Sequence, residues 1–100
     1  MKILSAEEAR LAMDKDKNIR LLDVRSNDEY TKGHITGSLN IPLDMLDDIY
    51  GIIKNRKTKI FVYCQSGKRS RRACYMLEKM GYTDVTDIGG LSTWPYGIVK

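Results

Sequence analysis

Apolar residues along the chain switch between two spacings. Met1-Lys2-Ile3-Leu4 forms a short apolar start that predicts a first strand, and Ser5 with Glu8 has the spacing of a capping box opening a helix to about Met13. Asp14 to Asn18 is a charged turn, and Ile19 to Val24, with Leu21 and Leu22 adjacent, predicts a buried strand. Ser26 with Glu29 repeats the capping-box spacing, and the short helix it opens ends at Gly33. A brief strand follows from Gly37 to Ile41, closed by Pro42. Leu43, Leu46, Ile49, Tyr50 and Ile53 then make a helical stripe within 43–54. After a turn at 55–59 comes the unbroken apolar run Ile60-Phe61-Val62-Tyr63, leading to Cys64. Ala73, Met76, Leu77 and Met80 return to helical spacing as far as Gly81, and Val85 to Ile88 predicts the last strand before Gly89-Gly90.

Strands alternating with helices indicate an α/β fold: a five-stranded, mostly parallel sheet with helices on both faces. At 100 residues, without linker, repeat or low-complexity tract, residues 1–100 are expected to form one domain. In such sheets ligands bind outside the carboxyl ends of the strands, where both Cys64 and the Asp23-Val24-Arg25 turn are placed.

Hydrophobic content of 42% and charged content of 30% fit a soluble globular domain. No apolar run approaches a membrane span, and the N-terminus lacks the apolar core of a signal peptide, so a cytoplasmic location is expected. The two cysteines, Cys64 and Cys74, do not form a disulfide framework, and with His34 the only imidazole no metal site is expected. The net charge of +4 is concentrated near 68–72, with Asp44, Asp47 and Asp48 forming an acidic patch elsewhere. One basic loop without interleaved aromatics argues against a nucleic-acid role.

The chemistry converges on Cys64-Gln65-Ser66-Gly67-Lys68-Arg69-Ser70. Between a strand and a helix, this loop gathers the unpaired N–H groups of a helix N-terminus, where anions are favoured. Gly67 lets it curl so that successive N–H groups point inward. Lys68, Arg69, Arg71 and Arg72 stand at the positive end of the helix dipole, where each costs roughly 0.3–1 kcal/mol. A cationic run placed against the dipole points to a site tuned for an anion, and the same field favours a thiolate at Cys64. The same residues also admit a solvated basic turn beside a buried, inert cysteine.

The whole pattern resembles a single-domain rhodanese. The Cys64 to Ser70 loop is similar to that family's active-site loop, with Gly67, Arg69 and Ser70 in place. Asp23-Val24-Arg25 with Glu29-Tyr30, the run from Gly33 to Pro42, and Gly89-Gly90 with Trp94 resemble its other signatures, in the same order over residues 19–94. Cys74 departs from the small residue usual there.

The resemblance implies a sulfurtransferase in which Cys64 takes the sulfane sulfur of thiosulfate, releases sulfite and passes sulfur from a persulfide to cyanide or a cellular thiol. No cofactor is implied, and the expected partners are a small-molecule donor and a thiol or sulfur-accepting protein, with the chain a monomer. Gln65, Ser66, Gly67, Lys68, Arg69 and Ser70 would bind substrate. The loop N–H groups would hold the persulfide sulfur, Lys68 and Arg69 the sulfonate oxygens, and Ser70, at the helix cap, a loop N–H or the sulfur. Arg25 either reaches the donor anion or pairs with Asp23 or Glu29 to fix the loop. Asp23 is expected to be structural, His34 to stabilise its turn, Trp94 to lie in the core or at the rim, and Tyr63 to point to the strand face opposite Cys64.

Two rival readings stand beside this one. Cysteine phosphatases and arsenate reductases of related fold also cradle an oxyanion at a helix N-terminus. The phosphatase loop has five residues between cysteine and arginine, whereas four separate Cys64 from Arg69, and Tyr63 stands where those enzymes usually carry histidine. Arg71 lies beyond Ser70 and is a poor substitute. A catalytically silent, regulatory rhodanese-like module is the other rival, but such modules usually lack the cysteine.

Overall fold

A computed structural model describes residues 1–100. Five strands, β1 (Lys2–Ile3), β2 (Arg20–Asp23), β3 (Leu39–Asn40), β4 (Ile60–Cys64) and β5 (Val85–Gly90), form one sheet in the order β1-β5-β4-β2-β3. Every pairing is parallel, so the mostly parallel sheet expected from the sequence is wholly parallel. Strand β4 is central and all its residues are buried, which explains why it reads as an unbroken apolar run rather than an alternating one.

The faces of β4 divide the core. Ile60, Val62 and Cys64 pack with Ala73, Cys74 and Leu77 of α4 (Lys68–Lys79), and with Leu46, Ile49 and Ile53. Phe61 and Tyr63 pack on the other face with Ala9 of α1 (Ala6–Lys15), Ile35 and Ile88, so Tyr63 does turn away from the Cys64 side. Both capping boxes form: Ser5 with Glu8 opens α1, and Ser26 with Glu29 opens α2 (Asn27–Lys32).

The helix expected over 43–54 is broken. Leu43–Asp48 is a 3-10 helix with a kink at Met45, followed by the single-turn α3 (Ile49–Ile52). Leu43, Leu46 and Ile49 recur at intervals of three, the 3-10 period, so their stripe fits the tighter helix as well as the α-helix. Predicted strand ends also shrink: β1 and β3 each hold two residues, while β5 runs on through Gly90. No helix is long and apolar enough to cross a membrane.

Candidate active site

Cys64 ends β4, and its side chain enters the layer beneath the first turn of α4. The chain leaves it through Gln65 and Ser66, both exposed, and reaches Gly67 at φ +96°. That left-handed residue turns the backbone so that the next residues begin α4 with their N–H groups aimed back at the strand end. The Gly67 N–H donates to Cys64 Sγ at 3.0 Å and the Ser70 N–H at 3.3 Å. Two backbone dipoles therefore meet the sulfur, the arrangement that stabilises negative charge there. The Cys64 side chain is fully covered, so the sulfur lies beneath the loop rather than on the surface.

The loop is held from below and behind. The Gln65 carbonyl accepts from the Ser92 N–H at 3.1 Å, just past the end of β5. Gly90 packs so closely beneath Gln65 and Ser66 that a Cβ there would collide with their backbone atoms. Ser70 is buried at the third position of α4; the cap position itself is Gly67, not Ser70 as the sequence suggests. The Ser70 hydroxyl has one proton, and its shortest contact is Oδ1 of the buried Asp87, at 2.8 Å. Its amide N–H, not its hydroxyl, is what faces the sulfur.

The cations separate into engaged and free. Arg69 makes a two-pronged pair with Glu29, Nη1 to Oε1 at 2.7 Å and Nη2 to Oε2 at 2.9 Å. The Arg69 hydrogen bond is the main reason the Glu29 carboxyl falls to about 2, and Glu29 in turn raises Arg69. Arg71 donates from Nε to Asp87 Oδ2 at 3.0 Å. Lys68 and Arg72, both exposed, have no carboxylate within 4.0 Å. Of the two cations expected to hold the donor's oxygens, Lys68 is free and Arg69 is held by Glu29. From the sequence Arg72 is one of four cations in the run, and what distinguishes it, that Arg69 and Arg71 are held while it is not, depends on carboxylates distant in the chain.

Arg25 is engaged within the fold. Its side chain is buried and forks onto the Asp23 carboxylate, with Nη2 at 2.8 Å from Oδ2, and the same Nη2 reaches the Gly33 carbonyl at 2.6 Å. Burial works to lower its pKa, but the Asp23 hydrogen bond and charge outweigh that and the net shift is upward. The Asp23-Arg25 pair thus ties the end of β2 to the end of α2, in keeping with a structural Asp23. His34 Nδ1 lies 2.8 Å from the Tyr30 carbonyl and its ring stacks on Tyr30, while its backbone pairs with Val99; all of this stabilises its turn. Trp94 is half-buried and packs against the core on the α1 face. Cys74 lies buried in the core side of α4, and its burial pushes the thiol up to about 12.

Two open depressions flank the loop. One, about 580 Å³, lies on the β5 and β1 side and sets Ser66, Gly67, Lys68 and Arg71 beside Asp87 and the apolar Ile3 and Leu4. The other, about 440 Å³, lies on the β2 side and mixes Val24, Leu43 and Met76 with Arg69 and Arg72.

Known proteins share this chain's sequence pattern and fold. Residues 5–95 match the rhodanese-like domain family. The chain is 39% identical over 95 residues to YqhL of Bacillus subtilis, covering 94% of this chain and 72% of that protein. It is 37% identical over 71 residues to the thiosulfate sulfurtransferase PspE of Escherichia coli, covering 70% of this chain and 68% of that protein. A solved rhodanese with anions from E. coli superposes with a TM-score of 0.76 at 34% identity, covering 82% of this chain and 98% of the other. With its fold, its loop and this match over nearly its whole length, the chain belongs to the rhodanese-like domain family.

Proposed function

We propose that this protein is a thiosulfate sulfurtransferase working through a persulfide on Cys64. The observation that carries the reading is the pair of N–H groups, from Gly67 and Ser70, at 3.0 and 3.3 Å from the sulfur. Donors already fixed in place favour a negatively charged sulfur without reorganisation during the reaction.

The Cys64 thiolate attacks the outer sulfur of thiosulfate. The sulfur–sulfur bond of the donor breaks, its electron pair leaves with sulfite, and the transferred sulfur remains on Cys64 as a persulfide anion. Lys68, which has no carboxylate partner, draws the sulfite oxygens to its side of the loop, into the depression it shares with Ser66, Gly67 and Arg71. In the second half, cyanide or a thiolate attacks the outer persulfide sulfur, the Cys64–sulfur bond breaks, and its electrons restore the Cys64 thiolate. With cyanide the product is thiocyanate; with a thiol, whose proton passes to the product, it is the acceptor's persulfide. Because Cys64 is fully covered at rest, the loop side chains move aside to admit the donor.

The engagement of Arg69 by Glu29 argues against phosphate chemistry, where the loop arginine would have to hold the oxyanion. The test is the intact mass of the reduced protein after incubation with thiosulfate. A gain of one sulfur, about 32 Da, is expected from the exchange chemistry, with sulfite released, and cyanide should remove it. Cys64→Ser should show no gain. A reduced wild-type protein that gains no sulfur and releases no sulfite would overturn the proposal.

A further inference from the structure

The depression on the β2 side has no part in the donor step described above, and it holds a cation of its own, Arg72. Its walls come from three places: Val24 just past β2, Leu43 and Asp44 after β3, and Arg69, Arg72 and Met76 along the first turns of α4. Val24 belongs to the same buried cluster as Cys64, and Leu43 and Met76 pack against that cluster. The depression therefore opens in the same layer of the fold as the sulfur, on the opposite side of the loop from Lys68.

Its surface combines an apolar lining with charge at the rim. Arg69 is neutralised by Glu29, and Asp44 is the one acidic residue lining the groove, so Arg72 is the unpaired cation there. An inorganic dianion makes no use of apolar walls. An organic thiol with a carboxylate does: its carbon stem covers Val24, Leu43 and Met76 while the carboxylate meets Arg72. At about 440 Å³ the groove is of the size that takes a small organic molecule.

We propose that this groove is the acceptor subsite, and that Arg72 selects thiols carrying a carboxylate on a short apolar stem. The inference rests on the persulfide reading of Cys64 and extends it to the second half-reaction. The acceptor thiolate, held by its tail, attacks the outer persulfide sulfur. The bond from that sulfur to Cys64 breaks, its electron pair returns to Cys64 as thiolate, and the acceptor leaves as a persulfide. No other oxidant or reductant enters the step.

The half-reactions can be separated in one experiment. The protein is loaded with thiosulfate, freed of excess donor, and mixed with either 3-mercaptopropionate or 2-mercaptoethanol at matched thiolate concentration. Loss of the added sulfur is followed by intact mass. The wild type should be discharged faster by the carboxylate thiol. An exposed charge contact is modest, so Arg72→Gln should reduce that preference by about two- to five-fold and Arg72→Glu should abolish or reverse it. Arg72→Lys should retain most of it, and raised salt should erode it in the wild type.

Equal discharge by both thiols in the loaded wild type, or an Arg72→Glu variant that keeps the wild-type preference, overturns the acceptor subsite while leaving the persulfide reading intact. A protein that never takes up sulfur overturns both. Arg72 is exposed, so its replacement leaves the core untouched.

Discussion

The Ser70 hydroxyl donates to Asp87 Oδ1 at 2.8 Å, joining the start of α4 to the middle of β5 beneath the loop. The same oxygen accepts the Gly89 N–H at 2.9 Å, and Oδ2 accepts Arg71 Nε at 3.0 Å. A buried carboxylate is costly unless its lone pairs are met, and here three donors meet them. Because the Ser70 amide is one of the two groups facing Cys64, whatever anchors Ser70 also aims a dipole at the sulfur.

Removing that anchor has two expected consequences. Asp87→Ala leaves the Gly89 N–H without its acceptor and turns the Ser70 hydroxyl to the Gly67 carbonyl at 3.1 Å, and should cost about 1–3 kcal/mol in a urea titration. It should also slow sulfur uptake, as the Ser70 amide is freed to drift. Ser70→Ala should cost less, about 0.5–1.5 kcal/mol. Since both changes break the same contact, the double variant should fall short of the sum. Strict additivity would mean the two side chains are not coupled.

The two cysteines should differ in reactivity. Cys74 is enclosed in the core side of α4, and burial holds its thiol protonated up to about pH 12. Cys64 is also covered, but by a surface loop whose Gln65 and Ser66 side chains are exposed. Exposing Cys64 takes a local loop movement, whereas exposing Cys74 requires α4 to leave the sheet, and local openings cost less than global ones. Brief iodoacetamide treatment near neutral pH should therefore label Cys64 well before Cys74, read by peptide mass. Equal labelling in the folded protein would contradict this.

How far the sequence carried this picture depended on the range of each contact. The Cys64 loop was legible because its signals are local: an apolar strand run, a glycine where the backbone must turn left-handed, and a helix period starting directly afterwards. Both capping boxes were legible for the same reason. The partners of the loop cations were not. Arg69 finds Glu29 forty residues away, and Asp87 reaches Ser70 across seventeen. A parallel sheet brings such residues together only after its strand order is set, and spacing along the chain holds no record of that order. Asp87 in particular drew no attention in the sequence, lying unmarked inside the strand Val85 to Ile88. For Arg25 the sequence left two readings, and the buried fork onto Asp23 favours the structural one.

The Glu29–Arg69 pair predicts an acid-sensitive loop. The Glu29 carboxyl is near 4.5 without its partners and near 2 in the fold, chiefly through the Arg69 hydrogen bond. On acidification the unfolded chain therefore takes up this proton first, so the stabilisation is fully present above about pH 4.5 and is lost as pH falls towards 2. Both side chains are more than a third exposed or close to it, so the contribution is screened and should not exceed about 1 kcal/mol. Urea midpoints measured from pH 6 down to pH 2.5 should fall less steeply in Glu29→Gln than in the wild type. Parallel acid limbs would show that the pair contributes nothing.

Two glycines in the site should fail in different ways when replaced by alanine. Gly67 has φ +96°, and its nearest neighbour to an added Cβ is the Gly89 Cα at 3.8 Å, an ordinary contact. The penalty there is conformational, about 1–2 kcal/mol for an L-residue held left-handed. Gly67→Asn, which tolerates that region better, should recover part of it. Gly90 has φ −128° and ψ 163°, an extended geometry open to alanine, so its backbone gives no reason for glycine. Its constraint is space: the new methyl would press on backbone atoms of Gln65 and Ser66, which cannot rotate away as a side chain can. The loop itself has to lift, carrying the Gly67 and Ser70 amides away from Cys64. Gly67→Ala should thus lose stability while keeping most of its sulfur uptake, and Gly90→Ala should lose uptake out of proportion to its stability. Urea midpoints paired with thiosulfate loading rates will separate the two effects; a Gly90→Ala protein that loads like the wild type would show that the loop is not positioned by the strand beneath it.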